Sequence, residues 1–83
     1  MRMLKANGIN LNVAVSGPEG GVPLVLAHSL GTDHRVWDAL LPYPAQVRTI
    51  RYDQRGHGIS DAPPAPYTMA DHVADLVALL DEL

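Results

Sequence analysis

The residues able to do chemistry in this chain fall in two places. The first is Leu26-Ala27-His28-Ser29-Leu30-Gly31-Thr32-Asp33, set between a short apolar run and a segment of helical periodicity. Ala27-x-Ser29-x-Gly31 is a variant of the small-x-Ser-x-small turn that lifts a serine hydroxyl above a strand end, where it acts as a nucleophile. The same tight loop can instead present a backbone N–H, that of Leu30, to an oxyanion formed elsewhere. A third reading is an ordinary strand-to-helix turn with a capping serine. A nucleophile turn belongs after a central strand with parallel strands already laid down, whereas Ser29 follows only an early hairpin and one strand. Chain position therefore favours the Leu30 donor over a Ser29 nucleophile.

The second place is Tyr52-Asp53-Gln54-Arg55-Gly56-His57-Gly58-Ile59-Ser60-Asp61. Gly56 and Gly58 permit sharp turns, and Asp53, Arg55 and Asp61 can pair with one another and hold the loop in one shape. Gly56-x-Gly58 has too few glycines for a dinucleotide loop, and the prolines from Pro63 onward replace the helix whose N-terminus would hold a pyrophosphate. His57 beside Asp53 suggests an acid–base pair, but a histidine between glycines in a turn reads first as a hydrogen-bonder that orders its loop. His28, His34, His57 and His72 show no tandem ligand spacing, and His34 with Asp38 is the only i, i+4 pair of note, so no metal site is expected. No cofactor is expected either.

The elements that must position these loops are legible from periodicity. Ile9, Leu11, Val13 and Val15 alternate with Asn10, Asn12, Ala14 and Ser16, the pattern of a half-buried strand. Asn7-Gly8 before it is the preferred two-residue hairpin turn, so Arg2–Ala6 should pair antiparallel with it. Pro23–Ala27 is a continuous apolar run, as expected of a strand covered on both faces. Val36, Trp37, Leu40 and Leu41 recur at helical spacing, with Thr32 or Asp33 as N-cap and Pro42 and Pro44 as stops, and Trp37 reads as a core anchor. Val47–Tyr52 reads as a second internal strand. Thr68, with Asp71 three positions on, caps a last helix whose apolar stripe is Val73, Leu76, Val77 and Leu80, leaving His72 to solvent. The order of hairpin, strand, helix, strand, helix describes an α/β sheet still under construction.

Composition narrows the partners. Eighty-three residues make one domain at most and bury only about 60 to 65% of their unfolded surface. The chain has no cysteine, so disulfides and thiolate metal sites are excluded and a reducing compartment is allowed. Met1 to Lys5 begins no signal peptide, and no apolar stretch approaches the roughly 18 residues of a membrane span, so a cytoplasmic protein is expected. With a net charge of −3 and Arg48, Arg51 and Arg55 as the only basic cluster, nucleic acid is not an expected partner, and those arginines read as local ion-pair formers.

The two motifs, in this order and separated by one short helix and a Pro-containing loop, resemble the amino-terminal part of α/β-hydrolases over nearly the whole chain. Asp53-x-Arg55-Gly56-His57-Gly58-x-Ser60 matches the family's second motif at each usual position, while His28-Ser29 stands where the first is usually His-Gly. Ser29-Leu30-Gly31-Thr32-Asp33, Trp37-Asp38 and Tyr52 through Gly58 look most like 3-oxoadipate enol-lactonases, with His28 where asparagine is expected. The resemblance implies a cofactor-independent hydrolase of a small ester or lactone. It implies that residues 1–83 are the N-terminal portion of one domain, an incomplete sheet with half an oxyanion hole at Leu30. Nucleophile, acid and base would then lie beyond Leu83, so the chain alone would be inactive. It also implies that the Pro23–Ala27 strand lies beside a nucleophile-bearing strand, so its edge is expected to pair with the missing C-terminal part or with another copy.

Overall fold

The computed structural model describes residues 1–40 and 46–83. Asn7 and Gly8 both take positive φ, 53° and 78°, which is what a tight hairpin between twisted strands requires. They join β1, Arg2–Ala6, to β2, Ile9–Ser16, in antiparallel register with Leu4 opposite Leu11 and Ala6 opposite Ile9. β3, Val22–Leu26, and β4, Val47–Tyr52, run parallel to each other, and β4 pairs antiparallel with β2, giving the order β1-β2-β4-β3.

This register gathers the apolar side chains on one face, because residues directly opposite in a sheet project to the same side. Leu4 with Leu11, Ala6 with Ile9, Val13 with Tyr52, and Val15 with Ile50 and Val25 form that face. Helix α1, Met69–Glu82, packs on it and drives Leu79 into the core between Leu11, Val13 and Tyr52. The expected capping box is present: the Thr68 hydroxyl accepts the Asp71 N–H while the Asp71 carboxylate accepts the Thr68 N–H.

Five expectations need correction. The buried side of α1 is Asp75 and Leu79, while Val73 and Val77 are each 53% exposed and Leu80 is exposed as well. Asp75 is buried because Arg55, distant in sequence, neutralises it there. β2 is not half-buried: Leu11, Asn12, Val13 and Ala14 are all buried, since the strand lies inside the sheet and Asn12 holds the loop after β4. β3 is not covered on both faces: Val22 is 65% exposed, Pro23 is exposed and only Leu26 is buried, and the strand lies at the edge of the sheet beside β4. The segment between β3 and β4 is a 3₁₀ helix, His34–Leu40, rather than an α-helix, and it buries no residue completely. Trp37 is therefore half-buried and Val36 and Leu40 are exposed, so Trp37 is no core anchor. The Asp33 carboxylate does cap the turn by accepting the Arg35 N–H. Leu41, Pro42 and Pro44 lie outside the described residues.

Candidate active site

Because β3 and β4 are parallel neighbours, the two motif loops leave the sheet at the same end, where open α/β sheets bind ligands. Imidazoles fasten one loop to the other. His28 Nε2 accepts the Gln54 N–H at 2.9 Å, and the Gln54 amide donates back to the His28 carbonyl. His57 Nε2 accepts the Gly31 N–H at 3.1 Å. An Nε2 that accepts leaves the ring proton on Nδ1, and each Nδ1 has a carbonyl to donate to: Ser29 for His28 at 2.8 Å, Arg55 for His57 at 3.0 Å. The two rings lie 4.9 Å apart. His57 thus bonds to backbone and makes no acid–base pair with Asp53.

Asp53 is 0% exposed and anchors the second loop. Its carboxylate accepts Asn12 Nδ2 at 2.9 Å, the His34 N–H at 2.8 Å, His34 Nδ1 at 2.6 Å and the Ile59 N–H at 3.2 Å. Burial pushes this carboxyl up, but the hydrogen bonds from Asn12, His34 and Ile59 outweigh it and hold the group below the usual carboxylate range. Gly58, at φ 49°, passes so close that a Cβ there would sit 2.2 Å from Asp53 Oδ2. Ser60 Oγ donates to the Asp53 carbonyl and accepts the Asn12 N–H, and Asp61 accepts the Asn10 N–H, so the loop is sewn onto β2.

The expected mutual pairing of Asp53, Arg55 and Asp61 does not occur. Arg55 makes a forked pair with Asp75 of α1, at 2.6 and 2.8 Å, beneath the ring of Tyr67, and Asn7 Nδ2 adds a third bond to Asp75 at 2.9 Å. Asp75 raises the pKa of Arg55 in return. Asp38 pairs with Arg51 rather than with His34, and Arg48 donates to the Glu19 carbonyl. Arg51 and Arg55 thus form ion pairs, with Asp38 and Asp75, while Arg48 reaches a backbone carbonyl.

Asp33, His34 and Asp53 bring three possible ligand atoms within 4.8 Å of one another. Both Asp53 oxygens are already hydrogen-bonded, and Arg35 occupies both oxygens of Asp33. That donor set suits the existing bonds better than a cation.

The first loop has one distinctive arrangement. The Ser29 carbonyl accepts three donors: the Thr32 N–H at 3.2 Å, Thr32 Oγ1 at 2.7 Å and His28 Nδ1 at 2.8 Å. Across a trans peptide the following N–H points the opposite way, so this fixes the direction of the Leu30 N–H. No acceptor among the described residues takes that N–H, and the Leu30 side chain is 79% exposed. Ser29 Oγ meets Thr32 Oγ1 at 3.3 Å, and no imidazole nitrogen contacts it among the described residues. Leu30 borders an open, mainly apolar cavity of about 590 Å³, walled also by Ala27, His28, Tyr52, Tyr67 and Leu76. His72 lies on that wall too, edge-on to Tyr67 and half-buried rather than solvated.

Sequence reasoning found both loops but missed Asn12, His34 and Asp75. Asp75 lay on the helix side opposite the expected apolar stripe and gave no signal, and Asn12 occupied a position that alternation assigned to solvent.

Known proteins share this fold and part of this sequence. A sequence profile described as alpha/beta hydrolase fold matches residues 22–83. The chain is 37% identical over 81 residues to 3-oxoadipate enol-lactonase 2 of Acinetobacter baylyi, covering 96% of this chain and 30% of that one. It is 39% identical over 84 residues to epoxide hydrolase 1 of Siraitia grosvenorii, covering 96% and 26%. The crystal structure of the enol-lactonase from Burkholderia xenovorans LB400 superposes with a TM-score of 0.85 at 36% identity, covering 96% of this chain and 32% of that one. The chain thus spans between about a quarter and a third of the length of these relatives. No helix among the described residues is long and apolar enough to cross a membrane.

Proposed function

The chain belongs to the α/β-hydrolase fold family, and from that premise we propose that residues 1–83 are the amino-terminal portion of a cofactor-independent serine hydrolase of small esters or lactones, enol-lactonase-like, to which Leu30 contributes an oxyanion donor. The observation that carries this reading is the triply bonded Ser29 carbonyl, which fixes a Leu30 N–H that has no acceptor among the described residues, in a residue that lines an apolar cavity. A donor fixed before reaction costs no reorganisation when negative charge develops on the substrate oxygen, and loss of one such donor costs about 2.7 to 4 kcal/mol of transition-state stabilisation. The substrate class rests on the enol-lactonase relatives. The nucleophile, its acid and its base are to be sought outside residues 1–83, because Ser29 Oγ has no base in reach among the described residues. The open edge of β3 and the exposed Val73, Val77 and Leu80 are the surfaces on which that remainder would seat.

The test is complementation. This chain, joined to or mixed with a nucleophile-bearing segment, should hydrolyse a chromogenic ester or an enol-lactone, and the segment alone should not. Equal turnover with and without this chain would end the reading. The same open β3 edge supports a second reading, an assembly module that pairs with another copy. Sedimentation showing a stable dimer, together with no turnover in any complemented mixture, would favour it.

A further inference from the structure

We propose that His57 is a positioning residue for the Leu30 oxyanion donor, clamping the peptide that follows Leu30 as His28 and Thr32 clamp the one before it. This rests on the reading of the Leu30 N–H given above. The direction of that N–H is set by the Ser29–Leu30 peptide plane, and the plane after Leu30 determines whether the residue that carries it stays in place. The Ser29–Leu30 plane is held through its carbonyl by His28 and Thr32, residues of the same loop. The Leu30–Gly31 plane is held through its N–H by His57 Nε2 at 3.1 Å, from a different loop. With only the first plane held, Leu30 ψ can turn and carry Gly31, at φ 80°, away from its place. With both held, Leu30 is fixed at either end while its side chain, packed against little, restrains nothing.

His57 is itself built to be an acceptor at that point. Its Nδ1 donates to the Arg55 carbonyl at 3.0 Å, which directs the ring and leaves Nε2 free of a proton. Arg55 in turn is tied to α1 through Asp75, so the chain of contacts runs from the helix, through Arg55 and His57, to Gly31. The loop after β4 thereby acts on the loop after β3 without touching substrate.

Two measurements test this. On the ¹⁵N-labelled 83-residue chain, long-range ¹H–¹⁵N spectra should show His57 protonated at Nδ1, with a scalar coupling between Nε2 and the Gly31 amide nitrogen. A proton on Nε2, or no coupling, would overturn the clamp. In the complemented enzyme, His57→Ala should lower kcat by about tenfold to a hundredfold with KM little changed. His57→Gln, whose Oε1 can accept the Gly31 N–H, should recover part of that loss and guards against a His57→Ala that fails to fold. Leu30→Pro separates the two layers. If it lowers kcat while both His57 variants leave kcat intact, the inference is wrong and the donor assignment stands. If Leu30→Pro is itself silent while the coupling is seen, the donor assignment is wrong, and the positioning role falls with it.

Discussion

Replacing Asp75 with alanine should cost this chain a large share of its stability. The Asp75 carboxylate is buried and receives Arg55 Nε at 2.6 Å, a second guanidinium nitrogen at 2.8 Å and Asn7 Nδ2 at 2.9 Å. Asp75→Ala leaves a nearly buried guanidinium and an amide without partners, and breaking a buried pair from one side costs about 3 to 5 kcal/mol. Eighty-three residues at roughly 0.05 to 0.15 kcal/mol each have only about 4 to 12 kcal/mol in all. Urea unfolding followed by circular dichroism should therefore show the midpoint of Asp75→Ala collapse, with Asp75→Asn intermediate because its Oδ1 still accepts. Replacing both charges at once, Arg55→Met with Asp75→Leu, should recover at least about 2 kcal/mol relative to Asp75→Ala, since no orphaned charge remains. A loss below about 1 kcal/mol for Asp75→Ala, or a double variant no better than the single, would refute the reasoning.

Asp53 should govern acid stability. Its folded pKa is depressed, so its contribution is complete above the unfolded value of about 3.9 and is lost as pH falls through the lower folded value. The urea midpoint should drop below about pH 4 in the parent and lose much of that slope in Asp53→Asn; identical slopes would contradict this. Gly58→Ala should cost about 2 kcal/mol or more, because positive φ and a 2.2 Å approach to Asp53 Oδ2 act together, and a loss under about 0.5 kcal/mol in the same assay would count against the geometry. A fluorophosphonate probe should leave Ser29 unlabelled by mass spectrometry, and an adduct there would revive a Ser29 nucleophile.

What could be read in advance was local. Asn7-Gly8 declares its hairpin within two residues, and Thr68 with Asp71 declares a helix start within four, so both emerged at the expected places. Arg48 and Arg51 did not prevent β4, because each finds a partner off the sheet, Glu19 and Asp38 respectively. What stayed hidden depended on distant partners. Asp75 lies on the side of the helix opposite the stripe formed by Val73, Leu76, Val77 and Leu80, and only Arg55 twenty positions upstream turns that polar side inward. Asn12 looked solvent-facing until Asp53 and Ser60 were brought against it. The site was half legible: the loop from Ala27 to Thr32 offered Leu30 and Ser29 as alternatives, but the three donors on the Ser29 carbonyl and the grip of His57 on Gly31 exist only in three dimensions.

The most direct test of the central claim is the turnover of Leu30→Pro in the complemented enzyme, since proline removes the backbone N–H and no functional side chain. The account predicts kcat lower by about a hundredfold to a thousandfold with KM nearly unchanged. A folded variant whose kcat stays within about twofold of the parent would show that Leu30 does not hold the oxyanion.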